Sequence, residues 1–320
     1  MNKNERPIVL IDALNFFMRH FTVNPAVGVN GQHIGGALGF LRGLGYLVDL
    51  LSPECVYVIW EGGGSPRRRS IFPDYKKNRR PVKLNRFYEG DIPNTVENRN
   101  YQVNLIVNLL KRSGIKQIYT SDCEADDVIG YVSKRELREK HKVIVSSDKD
   151  YYQLLEDEKI KIWSPGQKDF VTSEKILKKF GVTAANYCLC RCFTGDGSDG
   201  IPGIKGVGFR SLVKRFPELA SSGSMEVEEI VSSSRLKATN SKLQIYQNIA
   251  KGDEVVRRNW KLMYLDTSNL SFNQIQKIKS QLESEIPKMN KMDFMRMILR
   301  EGIQDFDVEK FFMSMKAMNY

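Results

Sequence analysis

Acidic side chains recur in this 320-residue sequence in pairs and triples: Asp12 after IVLI, Glu61 after VYVIW, Glu124, Asp126 and Asp127 in CEADDVIGY, Asp148 and Asp150 in SSDKDYYQLL, and Asp196 and Asp199 in GDGSDG. If these segments converge, up to nine carboxyl groups share one site. Like charges at that density cannot all ionise unaided, and a hard divalent cation is the usual remedy. Only three histidines are present, His20, His33 and His141, and none stands beside these acids. The donors are therefore all oxygen, a set that favours magnesium or manganese over zinc. Several carboxylates around two such ions are the arrangement of nucleases and polymerases. Taken singly, each motif also reads as a helix cap or a turn, so their joint placement carries the inference.

That placement depends on the elements between the acids. Residues 8–11, 56–60 and 143–145 are short apolar runs that fit buried strands, and 34–51, 101–113 and 125–138 carry apolar residues three and four apart, as helices do. The alternation predicts an α/β fold with a central parallel sheet covered by helices. Ligands bind such sheets outside the carboxyl ends of the strands, and here each predicted strand end carries a carboxylate. Residues 64–100 break the pattern: they are polar, basic and interrupted by Pro66, Pro73, Pro81 and Pro93, and read as a mobile connection outside the core. Residues 221–240 read as a surface excursion, with helical periodicity returning from Gln244.

Lys and Arg total 49 against 38 Asp and Glu, a net charge of +11, so a polyanion is the first partner to consider. No run approaches the roughly 18 apolar residues of a membrane span, and MNKNERPIVLID lacks a signal-peptide cleavage pattern, so a soluble protein of the cytoplasm is expected. Five cysteines, three of them at 188, 190 and 192, suit neither a zinc knuckle nor a disulfide framework. Over 67–86, Arg67, Arg68, Arg69, Lys76, Lys77, Arg79, Arg80, Lys83 and Arg86 are opposed only by Asp74, with Phe72, Tyr75 and the adjoining Phe87 interleaved. Cations that track phosphates and aromatic faces that stack bases make a single-strand channel. In GIPGIKGVGFR, Gly203, Gly206 and Gly208 can turn backbone N–H groups toward one anion, with Lys205 and Arg210 beside them.

In their order, DALNFFMR, a strand-end acid, FPDYKKNR, EADD, SSDKDYYQLL and GDGSDGIPGIKGVG resemble the 5′-nuclease (flap endonuclease) superfamily from residue 8 to about 216. IKIWSPGQKDFV and the helical tail resemble its T-even bacteriophage ribonuclease H branch. The resemblance implies a nuclease domain over 1–220 with a basic arch at about 64–100 and a helix-hairpin-helix clamp at about 187–216, and a helical region over 221–320 packed on it. By residue, it implies that Asp12, Glu61, Glu124 and Asp126 hold a first magnesium ion, with Asp127, Asp148, Asp150, Asp196 and Asp199 around a second, manganese being able to substitute. Lys76, Arg80 and Arg19 would contact the scissile phosphate, and the clamp would hold duplex and, as in that family, a potassium ion. One departure is Glu61 in WEGGG, where the family usually has Asp in an FDG-like phrase.

The implied activity is 5′ to 3′ exonuclease and flap endonuclease action on RNA or DNA ends beside duplex, as in removal of RNA primers during phage replication in the host cytoplasm. The implied protein is a monomer that acts on DNA and RNA–DNA hybrid alongside single-stranded-DNA-binding protein or other replication proteins. Two rivals share the scaffold: a non-catalytic nucleic-acid-binding module, which lost carboxylates would favour, and a PIN-type endoribonuclease, against which the glycine hairpin argues.

Overall fold

A computed structural model of the chain describes residues 6–77, 95–221 and 223–318. Its centre is a sheet of β1 (Ile8–Asp12), β2 (Cys55–Gly62), β3 (Lys116–Ser121), β4 (Lys142–Val145), β5 (Ile160–Ser164) and β6 (Asp169–Val171), in the order β3-β2-β1-β4-β5-β6. All neighbours are parallel except β5 and β6. Strand side chains alternate between two cores: Leu10, Ile59, Ile144 and Ile162 enter one, and Val9, Ile11, Val58 and Val145 the other. A parallel sheet buried on both faces needs such near-continuous apolar strands, which is why β1, β2 and β4 were legible as apolar runs.

The helices are α1 (Ala13–Val23), α2 (Gly35–Leu51), α3 (Pro66–Ile71), α4 (Val96–Leu110), α5 (Ala125–Tyr131), α6 (Ser173–Phe180), α7 (Ala184–Thr194) and α8 (Phe209–Arg215), followed by α9 (Val227–Asn240), α10 (Gln244–Lys251), α11 (Asp253–Met263), α12 (Phe272–Glu283), α13 (Lys291–Arg300) and α14 (Val308–Ala317). Phe16, Leu41 and Ile106 of α1, α2 and α4 share the Val9 core with Phe294 and Phe312 of α13 and α14. The Leu10 core takes Val128 of α5, Leu189 of α7, Val256 of α11 and Ile278 of α12. A short antiparallel pair, β7 (Gly195–Asp196) and β8 (Ile201–Pro202), joins α7 to the turn before α8.

Three expectations are corrected. Strand β3 escaped notice because KQIYTS is an edge strand whose burial merely alternates. Its open edge is covered at Tyr119, whose N–H is accepted by Gln281 Oε1 at 2.8 Å and whose carbonyl receives Gln281 Nε2 at 3.2 Å. Residues 64–77 are not an excursion: Ser65 caps α3 with Pro66 in its first turn, and Arg68 and Tyr75 are buried. Of the expected arch, residues 78–94 lie outside the described ones. Finally, 227–240 is helical, with Ile230 and Val231 fully buried against the core.

The helical C-terminal region is tied to the hairpin by Asn259, which is fully buried and donates from Nδ2 to the carbonyls of Cys192 and Pro202, both at 2.9 Å. Asn259→Leu keeps the volume but takes this donor from the buried Cys192 carbonyl and the part-buried Pro202 carbonyl. It is expected to lower unfolding free energy by about 2–4 kcal/mol in denaturant titrations; a loss below about 0.5 kcal/mol would contradict this tie.

Candidate active site

Parallel register puts the acidic segments on one edge of the sheet. Asp12 ends β1 opposite Ile59, Glu61 lies near the end of β2 opposite Thr120, and the segments leading to Glu124 and Asp148 leave the same ends of β3 and β4. Many of these acids also do local work. Asp12 caps α1 by accepting from Asn15 N–H at 3.2 Å, Glu124 is the N-cap residue of α5, and Asp148 accepts from Asp150 N–H at 2.9 Å. Asp196 closes its turn by accepting from Ser198 N–H at 2.9 Å. The cap and turn reading therefore holds for these four side chains, and it leaves room for a second task.

At the centre stands a residue the sequence reading had placed in the arch. Arg68 is 1% exposed, and its guanidinium spans the EADD acids. Nη1 lies 2.8 Å from Asp127 Oδ2 and 3.0 Å from Glu124 Oε2, Nη2 lies 3.0 Å from Asp127 Oδ1 and 3.2 Å from Asp126 Oδ2, and Nε donates to the Leu262 carbonyl at 2.9 Å. Asp127 also receives Asn269 Nδ2 at 3.2 Å, so both its oxygens are engaged. It anchors Arg68. The available signal was the SP start of α3: on a helix, the three consecutive arginines point in different directions, and one of them faces inward.

Two more cations divide the remaining acids. Lys76 Nζ is 2.7 Å from Glu124 Oε2 and 3.9 Å from Asp199 Oδ2, on a backbone with φ of 58°, in the left-handed region. Its N–H donates to the Asp199 carbonyl at 2.9 Å. Arg191, also missed, is 3.1 Å from Asp150 Oδ1 and pairs with Asp196. An arginine within the apolar helix AANYCLCRCFT was the clue, since a buried cation needs an acid. Asp12 receives only neutral donors, Tyr151 Oη at 3.0 Å and Ser146 Oγ at 3.3 Å, and Glu61 accepts from Ala125 N–H at 2.9 Å.

Electrostatics follow this division. Burial, with the charges of Glu61 and Asp148, pushes Asp12 up to about 7. Burial and then Asp148 push Asp150 up to about 7 against the pull of Arg191. Burial raises Glu61, and at Asp126 burial with repulsion from Asp127 and Glu124 outweighs Arg68. Glu124 is lowered: burial opposes, but Arg68 and Lys76 prevail. Among the described residues, no three acidic, histidine or cysteine side chains already converge as an ion-binding group. The acids share a field rather than a preformed cage. An all-oxygen donor set in which Asp12, Glu61, Asp126 and Asp150 are held above their ordinary range, chiefly by burial, nonetheless suits a hard divalent cation, which would favour the ionised forms.

Of the other expected residues, Tyr75 is corrected: it is buried, its hydroxyl donates to Glu124 Oε2 at 2.9 Å, and its ring offers no face for a base. Lys77 is exposed beside Asp74, Arg79 and Arg80 lie outside the described residues, and Arg19 makes no ion pair among the described ones. Of Gly203, Gly206 and Gly208, Gly206 alone has positive φ, 77°. Gly203 is needed because a Cβ there would lie 2.2 Å from the Thr194 carbonyl carbon, and Gly208 is extended with open space around it. Lys205 and Arg210 are exposed on either side of Gly206.

A family model described as the 5′-3′ exonuclease, N-terminal resolvase-like domain, matches residues 7–181. The chain is 30% identical over 210 residues to a 5′-3′ exonuclease of Aquifex aeolicus, covering 65% of this chain and 68% of that one. It is 29% identical over 216 residues to flap endonuclease Xni of Shewanella pealeana, covering 67% and 75%. Among solved structures, zinc-bound T5 5′-exonuclease is similar with a TM-score of 0.68 at 20% identity, over 87% of this chain and 99% of that one. The catalytic core of Rad2 in complex with DNA is similar with a TM-score of 0.53 at 15% identity, over 99% and 93%. At these structural identities the likeness is one of fold. Among the described residues no helix is long and apolar enough to cross a membrane.

The field at Asp12 sets a pH dependence. In EDTA the folded chain keeps Asp12 protonated up to about pH 7, whereas the unfolded chain releases that proton near 3.9. Its folded state thus binds more protons between these values, and the Asp12 contribution to stability falls as pH rises through this window. Asp12→Asn removes that loss, so its stability relative to wild type is expected to improve from pH 5 to 7 by up to about 1.4 kcal/mol per unit. His20 and His33, lowered chiefly by burial, slope the other way but cancel in the comparison. Paired unfolding curves at pH 5, 6 and 7 check this; a constant difference would place Asp12 outside the shared field.

Proposed function

The chain belongs to the 5′-3′ exonuclease family, and from that premise we propose that it is a magnesium-dependent, structure-specific 5′-nuclease, acting as exonuclease and flap endonuclease on RNA or DNA 5′ ends beside duplex. The observation that carries the reading is the edge of buried carboxylates at parallel strand ends, several held above their ordinary range chiefly by burial, with neighbouring acids adding to it. Asp12, Glu61, Glu124 and Asp126 would hold one ion, and Asp148, Asp150, Asp196 and Asp199 the other. Asp127 is reassigned to the anchoring of Arg68. When bound, two such ions supply positive charge that activates water and balances charge developing on the phosphate.

The protein's own groups do the rest. Lys76, tethered to Glu124 and Asp199, is within a side-chain swing of any phosphate held over these acids and adds a fixed charge there. Arg19, without a carboxylate partner among the described residues, would take a phosphate oxygen, and Arg80 is assigned the same task. Lys77 and Arg79 track single strand. The hairpin backbone around Gly206, with Gly203 holding its approach and Lys205 and Arg210 exposed beside it, grips duplex phosphates and a potassium ion. In a cell the natural substrates would be RNA primers and flaps of replicating phage DNA, handled by a monomer alongside single-stranded-DNA-binding protein.

A 5′-labelled flap and a nicked RNA–DNA hybrid, each incubated with magnesium and with EDTA, test the reading. Short labelled products are expected only with magnesium. Tight binding of both substrates without products in magnesium would instead support a binding module. Lys76→Ala is expected to lower the single-turnover rate by about 10²-fold, as for loss of a preorganised donor, with duplex affinity nearly unchanged. A pure loss of affinity would move Lys76 to the phosphate-tracking set.

A further inference from the structure

The family's N-terminal domain ends at residue 181, yet the EADD acids are completed by a segment some eighty residues beyond it. From the last turn of α11 toward α12 the chain runs as a strap across α3, α5 and the 3-10 turn Lys149–Glu156. Its Leu262 carbonyl accepts from Arg68 Nε at 2.9 Å. Its Met263 carbonyl and Leu265 N–H are gripped by both ends of the buried Gln153 amide, at 3.1 and 3.0 Å. Its Leu265 carbonyl receives Lys134 Nζ at 2.8 Å. Asn269 then donates from Nδ2 to Asp127 Oδ1 at 3.2 Å while holding the Tyr264 carbonyl at 3.0 Å.

The strap reaches Glu124 and Asp126 only through Arg68 and Asp127. Asp127, fixed by Asn269, holds the guanidinium bidentately, and the Leu262 carbonyl sets its plane. That plane decides where Nη1 and Nη2 pull Glu124 Oε2 and Asp126 Oδ2. A fork with five N–H groups in fixed geometry transmits orientation in a way a lysine cannot. Neighbours that orient ligating carboxylates typically change metal affinity by 10- to 100-fold when lost.

We propose that two groups of this strap, the Asn269 side chain and the Leu262 carbonyl, are working parts of the nuclease site, which position Arg68 and Asp127 and thereby set the affinity of the EADD carboxylates for the divalent ion. The proposal rests on the metal-holding role given above to Glu124 and Asp126. Asn269 is the positioning residue to change, because it is only half-buried and its loss leaves Arg68 paired.

The test is a magnesium titration of the full-length chain without nucleic acid, read as melting temperature, for wild type, Asn269→Ala and Thr267→Ala. Thr267 lies on the same strap but binds Arg135 on the surface, away from the acids. In EDTA, Asn269→Ala should melt within about 2 °C of wild type, as for loss of a half-buried contact. Its magnesium midpoint should rise about tenfold, and the magnesium needed for half-maximal flap cleavage should rise with it. Thr267→Ala should match wild type on both counts. If wild type gains no stability from magnesium, the metal reading itself falls. If wild type gains it and Asn269→Ala gains it at the same concentration, or if Thr267→Ala shifts equally, the strap does not position the site and the proposal is overturned.

Discussion

Everything around the acidic edge is arranged to satisfy one buried guanidinium. An arginine 1% exposed to solvent is tolerable only if its charge is opposed and its N–H groups are accepted. Arg68 meets both conditions with Glu124, Asp126 and Asp127 and a main-chain carbonyl. That requirement fixes α3 against α5, turns 65–77 inward, and brings Tyr75 and Lys76 onto Glu124. Removing Arg68 would take from three buried acids the cation they share, leaving Glu124 to Lys76 and Asp127 to Asn269, so this ion network specifies the local fold as much as it prepares for chemistry.

The cations also grade the site. Glu124 faces Arg68 and Lys76, Asp150 and Asp196 face Arg191, and Asp12 and Glu61 face neither at bonding distance. The directions of the pKa shifts record this grading, with Glu124 low and Asp12 and Asp150 high. Asp150 is the instructive case, because burial and Asp148 overcome a direct arginine contact. Positive charge is therefore unevenly supplied across the edge, and the shortfall is greatest around Asp12.

Much of this was legible from the chain. The runs at 8–11, 56–60 and 143–145 marked three central strands because a doubly covered parallel sheet leaves no room for polar interruption, and their ends located the acids. Edge strand β3 was lost because an exposed edge permits Gln117 and Tyr119. The inward turn of Arg68 was lost for a different reason. A run of cations has the same composition whether it lines a channel or plugs an interior, and only the three-dimensional partner tells the two apart. Tyr75 was misread in company with it. The roles of Gly203 and Gly206 separate on similar grounds: one is a close approach, the other a backbone conformation, and both spell glycine.

The sharing of the Val9 core with α13 and α14 has a consequence for how the molecule comes into being. Strand β1 leaves the ribosome first, yet its partner β4 follows some 130 residues later, and Phe294, Phe311 and Phe312, which close the layer over its outer face, arrive only near residue 312. Non-local parallel pairing of this kind is slow, and apolar surface stays open in the meantime. A nascent chain halted before α13 would carry its family domain, its acids and even its strap, but one side of the sheet would remain without its full cover. Synthesis thus places the last stabilising layer after the last residue of the site, and arrest in that interval leaves a chain suited to chaperones or proteases.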